Sequence, residues 1–248
     1  MKISIVTAVY NRADCIAEAI ASMQQQTYGD IEHVVIDGAS SDGTLELLHS
    51  RLDRHAVLVS EPDKGIYDAL NKGLARATGE VIGLLHSDDI FADNQVLADV
   101  AKAFHEPAID AVYGDLQYVS KANTNNVIRH WRAGEYSRAR LGRGWMPPHP
   151  TLFLRRSVIE RWGGFDIHFR IAADYDAILR YFGRGNIRTA YIPRVLVKMR
   201  VGGESNRSLV NIWRKSIEDH RALKKNGVGG VGALVWKNVT KVGQFLPW

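Results

Sequence analysis

The chain has 248 residues, 46% hydrophobic and 24% charged, a composition that predicts a globular protein with a sizeable core and excludes a disordered chain. Its single cysteine, Cys15, excludes a disulfide framework and a zinc site built on cysteines, and favours a reducing, cytoplasmic compartment. No apolar run approaches the ~20 residues that cross a bilayer. The N-terminal segment 1–10 is too short for the apolar core of a signal peptide, so we predict a strand there.

The net charge of +5 lies at the C-terminal end of the chain. From His220 onward there is no acidic residue, and the basic residues there are Arg221, Lys224, Lys225, Lys237 and Lys241. The other 27 basic residues balance the 27 acidic ones, so the body is neutral and the tail is basic. This distribution favours a local anionic partner over nucleic acid wrapped around the whole protein.

Strand and helix patterns alternate four times in the first 115 residues. Strands are predicted over residues 2–9, 31–37, 56–60, 81–85 and 109–113. Helices are predicted up to residue 26, with Asn11 as the N-cap, and over residues 44–52, 65–77 and 94–105. Such alternation predicts an α/β fold with βαβ crossovers, a mostly parallel sheet and helices on both faces.

Charged residues follow three of these strands, at the edge where open parallel sheets bind ligands. Asp37 ends the second strand, Lys64 follows the third, and Asp88 and Asp89 follow the fourth, which reads as buried on both faces. A hard divalent cation bridging to phosphate oxygens would relieve the repulsion between the paired carboxylates. An Asx turn or an N-cap for the helix near Asp93 is the alternative for this pair. Turn chemistry is likewise the alternative for Asp37, and simple solvation the alternative for Lys64.

No GxGxxG follows the first strand, and no GxxxxGK[ST] occurs in the sequence. A nucleotide-binding edge is therefore predicted without the glycine-rich loops of dinucleotide-binding dehydrogenases or P-loop enzymes.

The second half has a less regular pattern. Residues 116–145 predict strands or a loop that periodicity does not place, followed by a strand over 149–155 and late strands within 187–200. A helix is predicted over 171–182, with Asp174 in its first turn, where the helix dipole favours an anion. Asp176, two residues later, is the alternative reactive acid.

The C-terminal segment 206–248 predicts a helical, basic amphipathic tail. A helix is expected over 206–225, and beyond it apolar residues recur at helical spacing beside Lys237 and Lys241. Such a stretch can bind an anionic membrane surface. A helix docked on the body or a dimer contact is the alternative.

Four motifs in this order resemble the inverting enzymes of glycosyltransferase family 2, which have the GT-A fold. They are VTAVYNR at 6–12, VIDGASSDGT at 35–44, SEPDKGIYDALNKGLARATGEVIGLLHSDD at 60–89 and ADYDAILR at 173–180. The resemblance implies a nucleotide-sugar-binding half over residues 1–115 and an acceptor-side half of the same domain over 116–205. The tail over 206–248 lies beyond the resemblance, although many bacterial members of the family act at the inner face of the plasma membrane. The chain departs from the family pattern at His86 and Gly38, where many members carry Asp.

The resemblance implies transfer of a sugar from a nucleotide-sugar donor to a hydroxyl of a glycan or lipid-linked oligosaccharide in bacterial envelope synthesis. The expected donor is a UDP-sugar, with GDP- and dTDP-sugars as alternatives. Asp174 is the implied general base, and Asp89 and Asp88 the implied ligands of Mg²⁺ or Mn²⁺ on the diphosphate. The implied donor-binding residues are Thr7, Val9, Tyr10, Asn11, Asp37, Lys64, Ser87 and Asp88. His149 is a candidate contact for the acceptor or a phosphate; an ordinary loop histidine is the alternative.

Other functions remain as alternatives. A sugar nucleotidyltransferase would use a similar sheet, but would carry a glycine-rich, arginine-containing loop where this chain has VTAVYNR. A non-catalytic nucleotide-sugar or glycan-binding module would have no use for Asp174 in the binding cleft. A nucleic-acid binder is disfavoured because no recognition module is evident in the sequence.

Overall fold

The computed structural model describes residues 1–201, 209–230 and 232–233. Every helix within these ranges is too short or too polar to cross a bilayer. The amphipathic positions predicted for the tail, from Val231 and Leu234 to Leu246, lie outside the described residues. Membrane association through the tail therefore stays a prediction of the sequence.

The first half forms the parallel part of the sheet, with strands in the order β3-β2-β1-β4. The strands are β1 (Ile3–Val9), β2 (Ile31–Asp37), β3 (Val57–Ser60) and β4 (Val81–Leu84). The helices between them are α1 (Ile16–Gln24), α2 (Thr44–Arg51) and α3 (Ile66–Arg76). The parallel α/β arrangement predicted from periodicity is confirmed here.

Helices cover both faces of this parallel part. Ile3 and Ile5 of β1 pack with the buried faces of α1 and of α4 (Val96–Ala103). Val6 and Ala8 point to the opposite face and pack in the cluster that contains Leu70 of α3. Because β1 is apolar on both faces, it can lie only inside such a layered sheet.

Within the described residues, five further strands complete the sheet, and three of them run antiparallel to β1–β4. The further strands are β5 (Asp89–Phe91), β6 (Ala111–Val119), β7 (Val127–Trp131), β8 (Phe153–Arg155) and β9 (Thr189–Arg200). Strand β8 lies between β4 and β6 and is antiparallel to both, whereas β9 is parallel to β6 and pairs with β5. Of the nine strands that the described residues contribute, six run in one direction, so the sheet is mostly parallel.

The described residues of the second half also form helices. They are α5 (Arg138–Gly142), α6 (Arg156–Trp162), α7 (Ala173–Ile178), which continues as a π-helical turn over Leu179–Arg184, and α8 (Leu209–Asn226). The predicted strand over 149–155 is wrong in its first part, because His149–Thr151 forms a 3₁₀ turn and the strand begins at Phe153. This turn places His149 in the cleft rather than in the sheet.

Asn11 does not cap α1, which begins at Ile16 with Cys15 as its N-cap residue. Instead Asn11 adopts a left-handed backbone conformation, with φ of 50°, a region that Asn tolerates better than most residues. Its Oδ1 accepts the Ser41 N–H at 2.9 Å, and its own N–H donates to Ser40 Oγ at 2.9 Å. Asn11 therefore joins the loop after β1 to the loop after β2.

Candidate active site

A cleft of about 650 Å³ opens at the carboxyl ends of β1 and β4. Its walls come from the loops after these strands, the start of α3, the residues before and within the first turn of α7, and the end of β9. Eight of the predicted site residues line it: Val9, Tyr10, Asn11, Ser87, Asp88, Asp89, His149 and Asp174. A cleft of this volume is sufficient for a small-molecule substrate.

Three predicted site residues do not line the cleft. The Thr7 side chain is buried, with its hydroxyl 3.0 Å from His33 Nε2. Asp37 is fully buried, and its Oδ2 accepts the Ser60 hydroxyl at 2.6 Å and the Ser40 N–H at 3.1 Å. Lys64 is exposed outside the cleft. The donor-binding role implied for these three residues stays a prediction.

The loop after β3 supplies an acid that the sequence reasoning did not single out. Asp63 lines the cleft, and its Oδ1 accepts the Gly65 N–H at 2.7 Å. A Cβ at Gly38 would overlap the Asp63 carboxylate, so a side chain at position 38 would displace it. Glycine at position 38 therefore leaves the space that the Asp63 carboxylate occupies.

His33, which lies behind Thr7, makes the stability of the fold depend on pH. Burial lowers the pKa of His33 from 6.5 to about 4. As the pH falls below 6.5, the unfolded chain binds a proton that the folded protein does not, so the free energy of unfolding decreases down to about pH 4. The full shift corresponds to a loss of roughly 3 kcal/mol.

We therefore expect urea unfolding to require less urea at pH 4.5 than at pH 7. His33→Gln should show a shallower dependence over this interval, because glutamine can still bond the Thr7 hydroxyl but does not titrate. Equal pH dependence in the two proteins would contradict this assignment.

The acidic pair after β4 has one accessible and one buried member. Asp88 is partly exposed in the cleft, and its carbonyl accepts Arg200 Nη1–H at 2.8 Å. Asp89 is only 1% exposed, and within the described chain neither of its carboxylate oxygens has a hydrogen-bond partner. Burial, reinforced by the nearby charge of Asp88, raises the pKa of Asp89 well above its usual value. The backbone and the charge of Arg200 offset part of this penalty.

Helix capping does not account for this pair. Helix α4 begins at Val96, and the carboxylate that bonds the backbone at its start is Asp93, whose Oδ1 accepts the Gln95 N–H at 2.9 Å. The described residues contain no cluster of three or more His, Cys, Asp or Glu side chains that could hold a metal by themselves. Hard carboxylate oxygens without partners nevertheless fit a Mg²⁺-like cation, which proteins commonly bind through one or two carboxylates together with substrate phosphates.

Asp174 lies in the first turn of α7, as predicted, and belongs to a chain of side-chain contacts. Its Oδ2 is 3.0 Å from His149 Nδ1, and His149 Nε2 is 3.1 Å from His86 Nε2. The Tyr67 hydroxyl is 3.3 Å from Asp174 Oδ1 and donates to the Ile171 carbonyl at 2.7 Å. His149 is thus a cleft residue bonded to the candidate base rather than an ordinary loop histidine.

The positions of the protons between Asp174, His149 and His86 follow from which atoms can donate a hydrogen bond and which can accept one. An ionised Asp174 can only accept, so the proton of a neutral His149 lies on Nδ1, and its Nε2 then accepts from His86 Nε2–H. Burial lowers the pKa of His86 to about 4, which keeps this ring neutral near pH 7. The histidine at position 86, where many family members have Asp, therefore contributes to the contacts of the candidate base.

Asp176, the alternative reactive acid, lies outside the cleft. It is fully buried and is bonded to Arg180 at 3.1 Å, Lys225 at 3.1 Å and Asn226 at 2.9 Å. With these partners, Asp176 has a structural role in fixing α7 against α8.

Four arginines also line the cleft: Arg12, Arg170, Arg200 and Arg214. Sequence periodicity did not reveal them. Arg200 at the end of β9 is buried, bonded to the Asp88 carbonyl and paired with Glu18. Arg170 and Arg214 are exposed. The cleft therefore carries positive charge as well as the acidic pair, which suits a cleft that receives an anionic ligand.

The sequence model of the family described as "Glycosyl transferase family 2" matches residues 4–163, which is more than half of the chain. This chain belongs to glycosyltransferase family 2. The match includes both the loop after β1 and the acidic pair. The resemblance predicted from the four motifs is thereby confirmed, and the protein is a glycosyltransferase.

Among the relatives of this glycosyltransferase is a PGL/p-HBAD biosynthesis glycosyltransferase from Mycobacterium bovis. The two are 32% identical over 209 residues, covering 82% of this chain and 78% of the relative. An uncharacterized glycosyltransferase from Mycobacterium tuberculosis is 31% identical over 194 residues, covering 72% of this chain and 68% of the relative.

Solved structures of glycosyltransferases share the fold. Staphylococcus aureus TarS 1–349, in complex with UDP-GlcNAc, superposes with a TM-score of 0.70 at 18% identity. The alignment covers 91% of this glycosyltransferase and 65% of that chain, so the present chain spans somewhat less than two thirds of it. The mannosyltransferase PcManGT from Pyrobaculum calidifontis, in complex with GDP-Man and Mn²⁺, gives 0.68 at 21% identity, covering 97% of this chain and 69% of that one. The predicted GT-A fold is confirmed.

Proposed function

We propose that this glycosyltransferase moves a sugar from a nucleotide-sugar donor to an acceptor hydroxyl with inversion at the anomeric carbon, with Asp174 as the general base. One observation carries the proposal: Asp174 lines the same cleft as the Asp88/Asp89 pair and the loop after β1. A base and a diphosphate site in one cleft are what a single displacement requires.

The donor end of the cleft is formed by the loops after β1, β3 and β4. Val9, Tyr10 and Asn11 offer an apolar wall, an aromatic ring that is 58% exposed and an amide beside it. Ser87 and Asp88 follow β4, the strand next to β1. We assign the nucleoside to the first group and the ribose and diphosphate to the second. Solved relatives bound to UDP-GlcNAc and GDP-Man support a nucleotide-sugar donor, for which we propose a UDP-sugar first.

Asp88 and Asp89 are the residues that would hold Mg²⁺ or Mn²⁺. The support is the pair of buried Asp89 oxygens without partners among the described residues and the Mn²⁺ in the PcManGT complex. When bound, the cation neutralises charge on the departing nucleoside diphosphate. Arg200 fixes the Asp88 backbone through the carbonyl, so the Asp88 side chain is directed from a rigid loop.

Asp174 accepts the proton of the acceptor hydroxyl as its oxygen forms the bond to the anomeric carbon. The bond from that carbon to the diphosphate oxygen breaks, and the electron pair leaves with the nucleoside diphosphate. His149 donates Nδ1–H to Oδ2 and thereby orients the Asp174 carboxylate. The acceptor class we propose is the hydroxyl of a glycan or lipid-linked oligosaccharide, and relatives named for PGL/p-HBAD biosynthesis are consistent with a biosynthetic transferase.

The rival functions explain the cleft less well. A sugar nucleotidyltransferase or a binding module would leave the Asp174–His149 pair without a role beside the donor site. Inverting transfer uses both the acidic pair and the base.

Thermal unfolding with a panel of nucleotide sugars tests the donor assignment. At 100 times the dissociation constant, a ligand stabilises the fold by about 2.7 kcal/mol, a shift of several degrees. We expect a UDP-sugar to raise the melting temperature with Mn²⁺ present and to lose this effect in EDTA, while free sugars have none. If no UDP-, GDP- or dTDP-sugar gives a Mn²⁺-dependent shift, the proposal is wrong.

A further inference from the structure

The side chain of Glu218, on helix α8, contacts the turn that precedes α7. Its carboxylate accepts three successive backbone N–H groups: Arg170 at 3.1 Å, Ile171 at 2.8 Å and Ala172 at 2.9 Å. Ala172 is the N-cap residue of α7 and has no side chain that could cap the helix. Glu218 thus brings to this helix start the negative charge that its own sequence lacks at that position.

The same turn is held from its other side by Tyr67 of α3. The Tyr67 hydroxyl donates to the Ile171 carbonyl at 2.7 Å and lies 3.3 Å from Asp174 Oδ1. Residues 170–172 are therefore fixed between α3 and α8, and Asp174 follows two residues after the turn. A displacement of the turn would be transmitted directly to the Asp174 carboxylate.

A second contact from α8 holds α7 on the far side of Asp174. Lys225 and Asn226 bond the fully buried Asp176 at 3.1 Å and 2.9 Å. Helix α8 thus bonds the chain on both sides of the candidate base, at Ala172 two residues before it and at Asp176 two residues after it. These contacts on both sides restrict the movement of the Asp174 backbone relative to His149.

We propose that Glu218 is a positioning residue for the transfer reaction, acting through the backbone of residues 170–172 to hold Asp174 against His149. The proposal rests on the proposed function, because it needs Asp174 to be the base. Glu218 is not among the residues that line the cleft, so it is placed to act through the backbone of the turn.

Glu218→Gln tests this role. Glutamine has one acceptor oxygen, and its amide N–H₂ would face N–H groups that also donate, so at least one of the three bonds is lost. Since small misplacements of catalytic groups cost up to about 10²-fold, we expect kcat to fall by roughly 10- to 100-fold. The KM for donor and the Mn²⁺-dependent donor affinity should stay unchanged. Glu160→Gln is the matched control, since Glu160 is exposed and is paired with Arg156 on the same helix, and it should leave kcat unchanged.

A double-mutant cycle separates positioning from general destabilisation. In a protein that already carries Asp174→Asn, Glu218→Gln should cause no further loss of the residual rate, because the group it positions is gone. Equal losses in both backgrounds would overturn the proposal, as would wild-type kcat for Glu218→Gln. If Asp174→Asn itself retained wild-type activity, the proposed base would be wrong, which is a different result from failure of Glu218 alone.

Glu218→Asp covers the case in which Glu218→Gln does not fold. Aspartate keeps the charge at the helix start but is shorter by one methylene, so it cannot hold the turn in the same place. We expect a folded protein with reduced kcat and unchanged donor affinity. Wild-type kcat for Glu218→Asp would overturn the proposal.

Discussion

Replacing Asp174 with Asn is expected to lower kcat by about 10²- to 10⁴-fold, the range that general-base catalysis contributes. Asparagine has the same shape and can still accept the His149 Nδ1–H that is 3.0 Å from Asp174 Oδ2. It cannot take a proton from the acceptor hydroxyl. The donor lies at the other end of the cleft, so its Mn²⁺-dependent affinity should change by no more than about twofold.

The measurement is steady-state transfer together with donor binding by calorimetry, on the wild type and the variant. Asp53→Asn is a matched control, because Asp53 is exposed and its Oδ1 accepts the His55 N–H, which asparagine can also bond. Turnover of Asp174→Asn at the wild-type rate would remove Asp174 from the mechanism. A parallel loss of donor affinity would place Asp174 in the donor site instead.

Replacing Asp89 with Asn is expected to reduce Mn²⁺-dependent donor affinity by at least about tenfold, because a neutral amide is a poor ligand for a hard divalent cation. The same variant should fold at least as stably as the wild type when EDTA is present. The substitution removes a buried negative charge whose oxygens have no hydrogen-bond partner in the described chain.

Asp115→Asn provides the contrast that makes this prediction specific. Asp115 is also buried, but its Oδ1 accepts the Ala133 N–H at 2.8 Å and the Tyr191 hydroxyl at 2.6 Å. It is not among the residues that line the cleft. We expect Asp115→Asn to lower the melting temperature and to leave donor affinity intact, the reverse of Asp89→Asn. Unchanged Mn²⁺-dependent affinity in Asp89→Asn would rule out Asp89 as a metal ligand.

The first half of the fold could be predicted because its elements carry local signals. The strand over Ile31–Asp37 was predicted with its observed bounds, and β1 and β4 within one or two residues, since buried strands are continuous apolar runs bounded by polar loops. Strands β5 and β8 have three residues each and no period to detect. They exist because partners from distant parts of the chain complete them.

The site was predicted in part for the same reason. The carboxyl ends of parallel strands meet at one edge, so Asp88 and Asp89 could be placed in a cleft from the sequence alone. Thr7 and Asp37 lie at or near the ends of their strands too, yet both side chains are buried against His33 and Ser60. Alternation along a strand sets the face to which a side chain points, but it does not contain the information on which other elements cover that face.

The parallel sheet, the family and the acids at the sheet edge can be predicted from the sequence, because they follow from local periodicity and from motifs that are contiguous in the chain. The partners of the base depend on the tertiary structure: His86 and His149 are 63 residues apart, and Glu218 lies 46 to 48 residues from the turn it holds. Hydrogen bonds between such distant residues depend on the packing of β8, α7 and α8 against the sheet, and that packing is set by the whole chain.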